Sequence, residues 1–291
     1  MKSSTLTHAE GLAIWLGIIG NALLFGGKIV IGLWFHSIAI ISDSLNSFTD
    51  IIASLVVYIS IRTSYQAADS QHPYGHKRAQ PIAGLIVAIF TGIVGFEVIA
   101  QAVNRLLTND RMQPGLLPIL LVLGVLVIKL FMHLYVQAVA RRTGSTALLA
   151  SAADHRNDVL VSAAVLIGVL FSNFGFPVFD PIVAILIGLW IIKAGFNIGR
   201  DNIKYLMGEA PPATLLESIQ DAIRAIHGVE RVHDVLAHYV GTMIHIEVHI
   251  NVNQELNVEQ AHAIGKQVQA VIESRDGVAR AFIHIDPLVV A

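Results

Sequence analysis

Apolar runs of about twenty or more residues, the length an α-helix needs to cross a bilayer, recur along the first two hundred residues near 11–35, 38–61, 80–107, 115–140, 148–171 and 178–198. They predict six membrane-spanning helices. At Gly208 the pattern changes: Gly208-Glu209-Ala210-Pro211-Pro212 breaks the chain, and a soluble pattern follows. Helical spacing from Ala213 to Ile226 (Leu215, Leu216, Ile219, Ile223) closes at Gly228. Period-two alternation over 232–239 and 243–252 predicts two strands, with Gly241-Thr242 between them as a hairpin turn. A second helix over 258–272 and a strand over 279–285 complete the order α-β-β-α-β, which puts helices on one face of a small sheet. The fold class is a polytopic α-helical membrane protein, residues 1–207, followed by an α+β domain, residues 208–291.

Two of the six runs are interrupted by acids. The run from Ser37 to Ser60 carries Asp43, Asn46 and Asp50 at i, i+3 and i+7, one face of a helix. The run over 148–171 carries Asp154 and Asp158 one turn apart. A carboxylate at membrane depth is costly, and the usual reason to keep one is an ion or proton path. Facing one another in a bundle, Asn46/Asp50 and Asp154/Asp158 offer an amide carbonyl and three carboxylates, an all-oxygen cation site. Lys28, Glu97, Lys129 and His133 also lie within apolar runs; snorkelling or local pairing accounts for them, and they are left outside the site. Asp180-Pro181 reads as an N-cap followed by a first-turn proline.

Composition narrows the class. Among 291 residues, 54% are hydrophobic and 14% charged, with mean hydropathy +0.65, too apolar for a soluble domain of this size. There is no cysteine, so thiolate metal sites are excluded and the thirteen histidines become the nitrogen ligands to follow. A net charge of -2 argues against nucleic acid. The first apolar run is too long for a signal-peptide core and reads as a retained span. Basic residues at Lys2, Arg62, Lys77, Arg78, Arg141, Arg142, Arg200 and Lys204 fall on one side of the predicted spans, against Arg105 and Arg111 on the other, which puts both termini in the cytoplasm.

Two further polar clusters lie outside the spans. Between the second and third, Asp69, His72 and His76 make an oxygen and two imidazoles within eight residues, suited to zinc or another borderline metal, or simply a solvated loop. In the soluble domain, His233, His238, His245, His249, His262, His284 and Asp286 gather at strand and helix positions. His245 and His249 share a sheet face, as do His284 and Asp286.

With the paired motifs of the second and fifth spans, the Asp69-x-x-His72-Pro73-Tyr74-Gly75-His76 loop and the closing His284-Ile285-Asp286-Pro287, nearly the whole chain resembles a cation diffusion facilitator. That family exchanges metal for protons through six membrane helices and carries a cytoplasmic metallochaperone-like domain. The resemblance implies a homodimer in the bacterial inner membrane, not an enzyme, and three metal sites. The transport site would be Asn46, Asp50, Asp154 and Asp158, with Asp43 and His155 beside it. The loop site would be Asp69, His72 and His76. The cytoplasmic site would be His233, His249, His262, His284 and Asp286, with Asp286 bridging two ions, while His238 and His245 match no family ligand and read as ordinary surface residues. Zinc-transporting relatives hold a histidine where this chain has Asp154, and His155 is displaced by one residue around the helix. Members of the asparagine and three-aspartate type are associated with manganese, in keeping with the preference of Mn(II) for oxygen; zinc, iron and cobalt stay open, and zinc suits the loop and cytoplasmic sites. After the last span, Glu209 with Lys77 or Arg78 could make a shifted form of a charge interlock that relatives carry. Three buried carboxylates cannot all stay ionised without a cation, so metal and protons compete for the same oxygens. The expected function is export of a divalent cation, Mn(II) first, in exchange for protons. The alternative of another class is a membrane scaffold with a metal-sensing domain, for which Asp50 and Asp158 would be dispensable.

Overall fold

The computed structural model describes residues 8–34, 38–108, 116–173 and 179–288. Six long helices come first: α1 (His8–Trp34), α2 (Ile38–Ser64), α3 (Ala79–Thr108), α4 (Leu116–Thr143), α5 (Thr146–Asn173) and α6 (Phe179–Met207). Then come α7 (Ala213–Arg224), β1 (Arg231–Val240), β2 (Met243–Asn253), α8 (Val258–Glu273) and β3 (Val278–Leu288). The chain divides into two compact units, 1–203 and 204–291. Among the described residues, α1, α3, α4 and α6 are apolar and long enough to cross a bilayer by composition alone. α2 and α5 are the two helices that carry the acids. They are held in the bundle by packing, α2 along α1 and α5 along α4.

Helix α6 runs nine residues past the expected end at 198. The polar turn there does not stop it because Asn202 is buried; its Nδ2 donates to the carbonyl of Ile198 at 2.8 Å, and its side chain lies over Gly84 of α3. Gly208, with φ of 72°, then lets the chain turn away. Close approach of α3 and α6 rests on glycine: a Cβ on Gly188 would lie 2.9 Å from the carbonyl oxygen of Gly95, and one on Gly95 would lie 3.0 Å from that of Gly188. Small residues at such a crossing let backbones touch in a setting where lipid offers no hydrophobic drive. At the start of the bundle, Glu10 of α1 is buried and accepts a hydrogen bond from the Tyr65 hydroxyl at 2.8 Å.

In the second unit the sheet order is β1-β2-β3, with β1 and β2 antiparallel and β2 and β3 parallel. Gly241, φ 64°, with Thr242 forms the two-residue hairpin connection. Even-numbered β2 residues Ile244, Ile246, Val248, Ile250 and Val252 pack with Ile219 and Ile223 of α7 and Val268 and Ile272 of α8. Both helices thus cover one sheet face. The odd-numbered positions of β2 are left to the other face, which is what places the histidines. Helix α8 opens on a capping box in which Asn257 and Gln260 satisfy each other's backbone amides.

Replacing Gly188 by leucine drives a branched side chain into the backbone of Gly95. The expected cost is about 1–3 kcal/mol, read as a lowered Tm of the detergent-solubilised protein. An unchanged Tm would mean that α3 and α6 do not cross at these glycines.

Candidate metal centres

The membrane cluster is built where α2, α4 and α5 meet. Asp154, His155 and Asp158, one turn of α5, each offer a ligand atom within 4.8 Å of the other two. His155 is 1% exposed, and neither ring nitrogen has a protein hydrogen-bond partner among the described residues. Displacement by one residue around the helix therefore does not take its imidazole away from the two carboxylates. Asp50, on α2, is buried. The side chains of Asp43 and Asn46 lie outside the described residues, although α2 carries Asn46 one turn before Asp50.

Lys129 links the two halves, and the expectation that it snorkels or pairs locally is corrected. It is 2% exposed, and its Nζ donates to Asp50 Oδ2 at 2.6 Å. The same Nζ lies 2.6 Å from Asp158 Oδ2, an ion pair whose alignment falls short of a hydrogen bond. Lys129 comes from α4, so three helices contribute to one charge cluster. His133, one turn further on α4, has its Nδ1 2.7 Å from the carbonyl of Ala152. Glu97 does pair locally, accepting from Gln101 at 3.2 Å, and Lys28 donates to Ser47 at 3.1 Å. Around the cluster, Asn21 of α1 donates to Ser54 of α2 at 3.2 Å, both buried.

The loop cluster is preorganised by backbone. Asp69 Oδ1 accepts from the backbone amides of His72, at 2.6 Å, and Gln71, at 2.9 Å. The amide of His72 is the main reason the exposed Asp69 carboxyl is held below the usual carboxylate range. The other oxygen, Oδ2, lies 3.5 Å from His76 Nε2, and His72 Nδ1 lies 3.3 Å from Oδ1. Gly75, φ 79°, makes the turn that folds His76 back over His72, with ring centroids 4.3 Å apart. One carboxylate and two imidazoles thus converge.

The third cluster lies on the open face of the sheet. Strand register sets His249 of β2 beside His284 of β3, ring centroids 4.6 Å apart, and Asn251 beside Asp286. A register shift between Val232 and Asp234 leaves His233 as the extra residue of β1. Its ring reaches Asn251 Oδ1 at 3.2 Å and Asp286 Oδ2 at 3.7 Å. Asp286 is the hub: Oδ2 is also 4.0 Å from His249 Nδ1, and Oδ1 is 3.1 Å from His284 Nε2. His262 does not join, because it is exposed on α8, which covers the opposite face of the sheet. His245 is not a surface residue: it is 7% exposed, its ring 6.3 Å from that of Phe282 and 6.0 Å from that of His238. Glu209, offered to Lys77 or Arg78 by its position, has its Oε1 3.6 Å from Lys204 Nζ.

Comparison with known proteins covers almost all of the chain. Residues 14–207 match the cation efflux transmembrane domain and residues 211–288 the cytoplasmic domain of cation efflux proteins. The uncharacterized transporter YdbO of Bacillus subtilis is 35% identical over 286 residues, covering 98% of each chain. The manganese efflux system protein MneS of the same organism is 32% identical over 273 residues, covering 94% of each. The cation-efflux pump FieF of Cronobacter sakazakii is 30% identical over 256 residues, covering 87% of this chain and 85% of that one.

Histidine binds metal only when neutral. Zinc held on the sheet face should therefore be displaced when acid is added. Replacing Asp286 by alanine removes the oxygens that His233, His249 and His284 share, and should lower bound zinc by about one ion per chain in a metal-indicator titration of the full-length protein at neutral pH. Unchanged stoichiometry in that variant would remove the sheet face as a metal centre.

Proposed function

Because the chain belongs to the cation efflux family, we propose that it exports a divalent transition-metal ion, Mn(II) by preference, from the cytoplasm in exchange for protons. The family is one of multi-pass membrane transporters and not of enzymes. The observation that carries the finer reading is the set of carboxylates, buried Asp50 from α2 with half-buried Asp154 and Asp158 from α5, the first and last joined by the Lys129 ammonium. Carboxylate oxygens suit Mn(II), whereas imidazole suits Zn(II). In this reading Asn46, Asp50, Asp154 and Asp158 form the transport site. The same oxygens that take the metal take protons when it leaves, so binding one expels the other. A proton gradient directed into the cell then drives metal out. MneS, named for manganese efflux, supports the choice of metal.

The loop trio Asp69, His72 and His76 and the sheet-face set His233, His249, His284 and Asp286 are read as cytoplasmic sites for a borderline metal such as zinc. His262, on the far side of its own sheet, can join the latter only from a second copy. That requirement agrees with a homodimer whose geometry responds to cytoplasmic metal. The membrane is the inner, cytoplasmic one, with both termini on the cytoplasmic side.

A second reading has an observation of its own. The ring of His155 lies within 4.8 Å of ligand atoms of Asp154 and Asp158, which adds a nitrogen to the oxygen set and favours zinc, iron or cobalt.

Transport of Mn(II) and Zn(II) into proteoliposomes under an imposed pH gradient, by wild type and by Asp154→His, distinguishes them. The wild type should prefer Mn(II), and the added imidazole should shift the ratio of the two rates toward zinc by about tenfold, about 1.4 kcal/mol of discrimination. Equal zinc transport by the wild type would favour the reading through His155. Transport that survives Asp50→Asn and Asp158→Asn would contradict both.

A further inference from the structure

Exchange of metal for protons gives no task to Lys129, although its ammonium pairs with two of the carboxylates. Its ammonium sits 2.6 Å from Asp50 Oδ2 on one helix and 2.6 Å from Asp158 Oδ2 on another, 2% exposed. A lysine that merely tolerates a membrane helix extends toward a helix end and water. This one extends inward and bridges acids that sequence separates widely, which is the placement of a cation shared by two carboxylates. An ion coordinated by Asp50 and Asp158 together would meet the ammonium at the same pair of oxygens, where two positive charges repel strongly in a medium that screens little. The four-carbon stem of lysine is flexible enough to withdraw, while the backbone of α4 keeps it within reach.

Resting on the transport-site reading above, we propose that Lys129 is a tethered counter-ion of that site, a built-in competitor that a divalent metal must displace from Asp50 and Asp158 and that returns as the metal leaves. With the ammonium in place, the described carboxylates Asp50, Asp154 and Asp158 present two net formal negative charges to an arriving ion and not three. Without the ammonium, a third negative charge would hold the metal more tightly and oppose its departure. Lys129 thereby sets the site to bind weakly enough to release. It also prevents the emptied carboxylates from facing each other unneutralised across α2 and α5 while protons arrive.

The test uses the full-length protein with Lys129→Gln, Lys129→Arg and the double variant Lys129→Gln with Asp158→Asn. In proteoliposomes, Lys129→Gln should lower KM for Mn(II) about tenfold and lower kcat by a comparable factor because release slows, while Lys129→Arg stays nearer the wild type. In detergent, added Mn(II) should raise the Tm of Lys129→Gln more than that of the wild type. Unchanged KM and kcat in Lys129→Gln would overturn the proposal. So would a raised KM with a smaller Mn(II)-induced Tm rise, because that result makes Lys129 a support for the carboxylates and not their competitor. The metal-free Tm supplies a reading independent of transport: Lys129→Gln should lower it, and adding Asp158→Asn should restore part of the loss by removing the uncompensated charge. Additive losses would overturn the ion pair itself. A wild type that moves neither Mn(II) nor Zn(II) would instead defeat the transport reading, and the metal-free Tm comparison would still decide whether Lys129 neutralises Asp158.

Discussion

A carboxylate inside a lipid bilayer has to be neutralised, and the organisation of the first unit follows from how this chain does it. Asp50 comes from α2, and Asp154 and Asp158 from α5. These two helices pack along α1, α3 and α4. Removing one partner of a buried pair costs about 3–5 kcal/mol, because a charge is left without compensation. The cluster therefore constrains its own surroundings: α4 must bring Lys129 inward, and the glycine crossing of α3 and α6 keeps the outer helices tight. On the proposed function, such a site is held in balance between a metal ion, protons and the protein's own ammonium, any of which answers the same electrostatic demand.

The second unit solves a different problem with the period of two of a strand. Burying Ile246, Val248 and Ile250 against α7 and α8 turns His249 to the open face. The parallel register with β3 then delivers His284 and Asp286 beside it. One extra residue in β1 brings His233 to Asp286. A candidate metal centre arises here from side-chain alternation and register. The trio of the membrane-side loop is made in another way, by backbone amides that fix Asp69 and a left-handed glycine that returns His76 to it.

What the sequence discloses of this molecule is what depends on spacing within one element. Apolar runs give the helices, alternation gives the strands, and spacing puts Asp154 and Asp158 on one turn of α5. Contacts between elements were harder. Lys129 and Asp50 are 79 residues apart, and nothing in the local pattern of α4 distinguishes an inward lysine from one that snorkels. The burial of Glu10 against Tyr65 was hidden for the same reason. The extension of α6 past 198 escaped because Asn202 and its neighbours look like a solvated turn until α3 is seen to cover Asn202. Parity placed His245 on a sheet face but could not say that this end of the face is covered. It also could not say that His262, a ligand by resemblance, stands across the sheet from the others.

The account turns on one coupling: protons and metal share the carboxylates of α2 and α5. The most direct measurement is lumenal pH in proteoliposomes when Mn(II) is added outside, with metal uptake recorded in the same sample. Shared carboxylates predict that metal moving in drives protons out, so the lumen becomes more alkaline in step with uptake, and that both signals vanish together in Asp158→Asn. Mn(II) uptake with no change of lumenal pH would contradict the account.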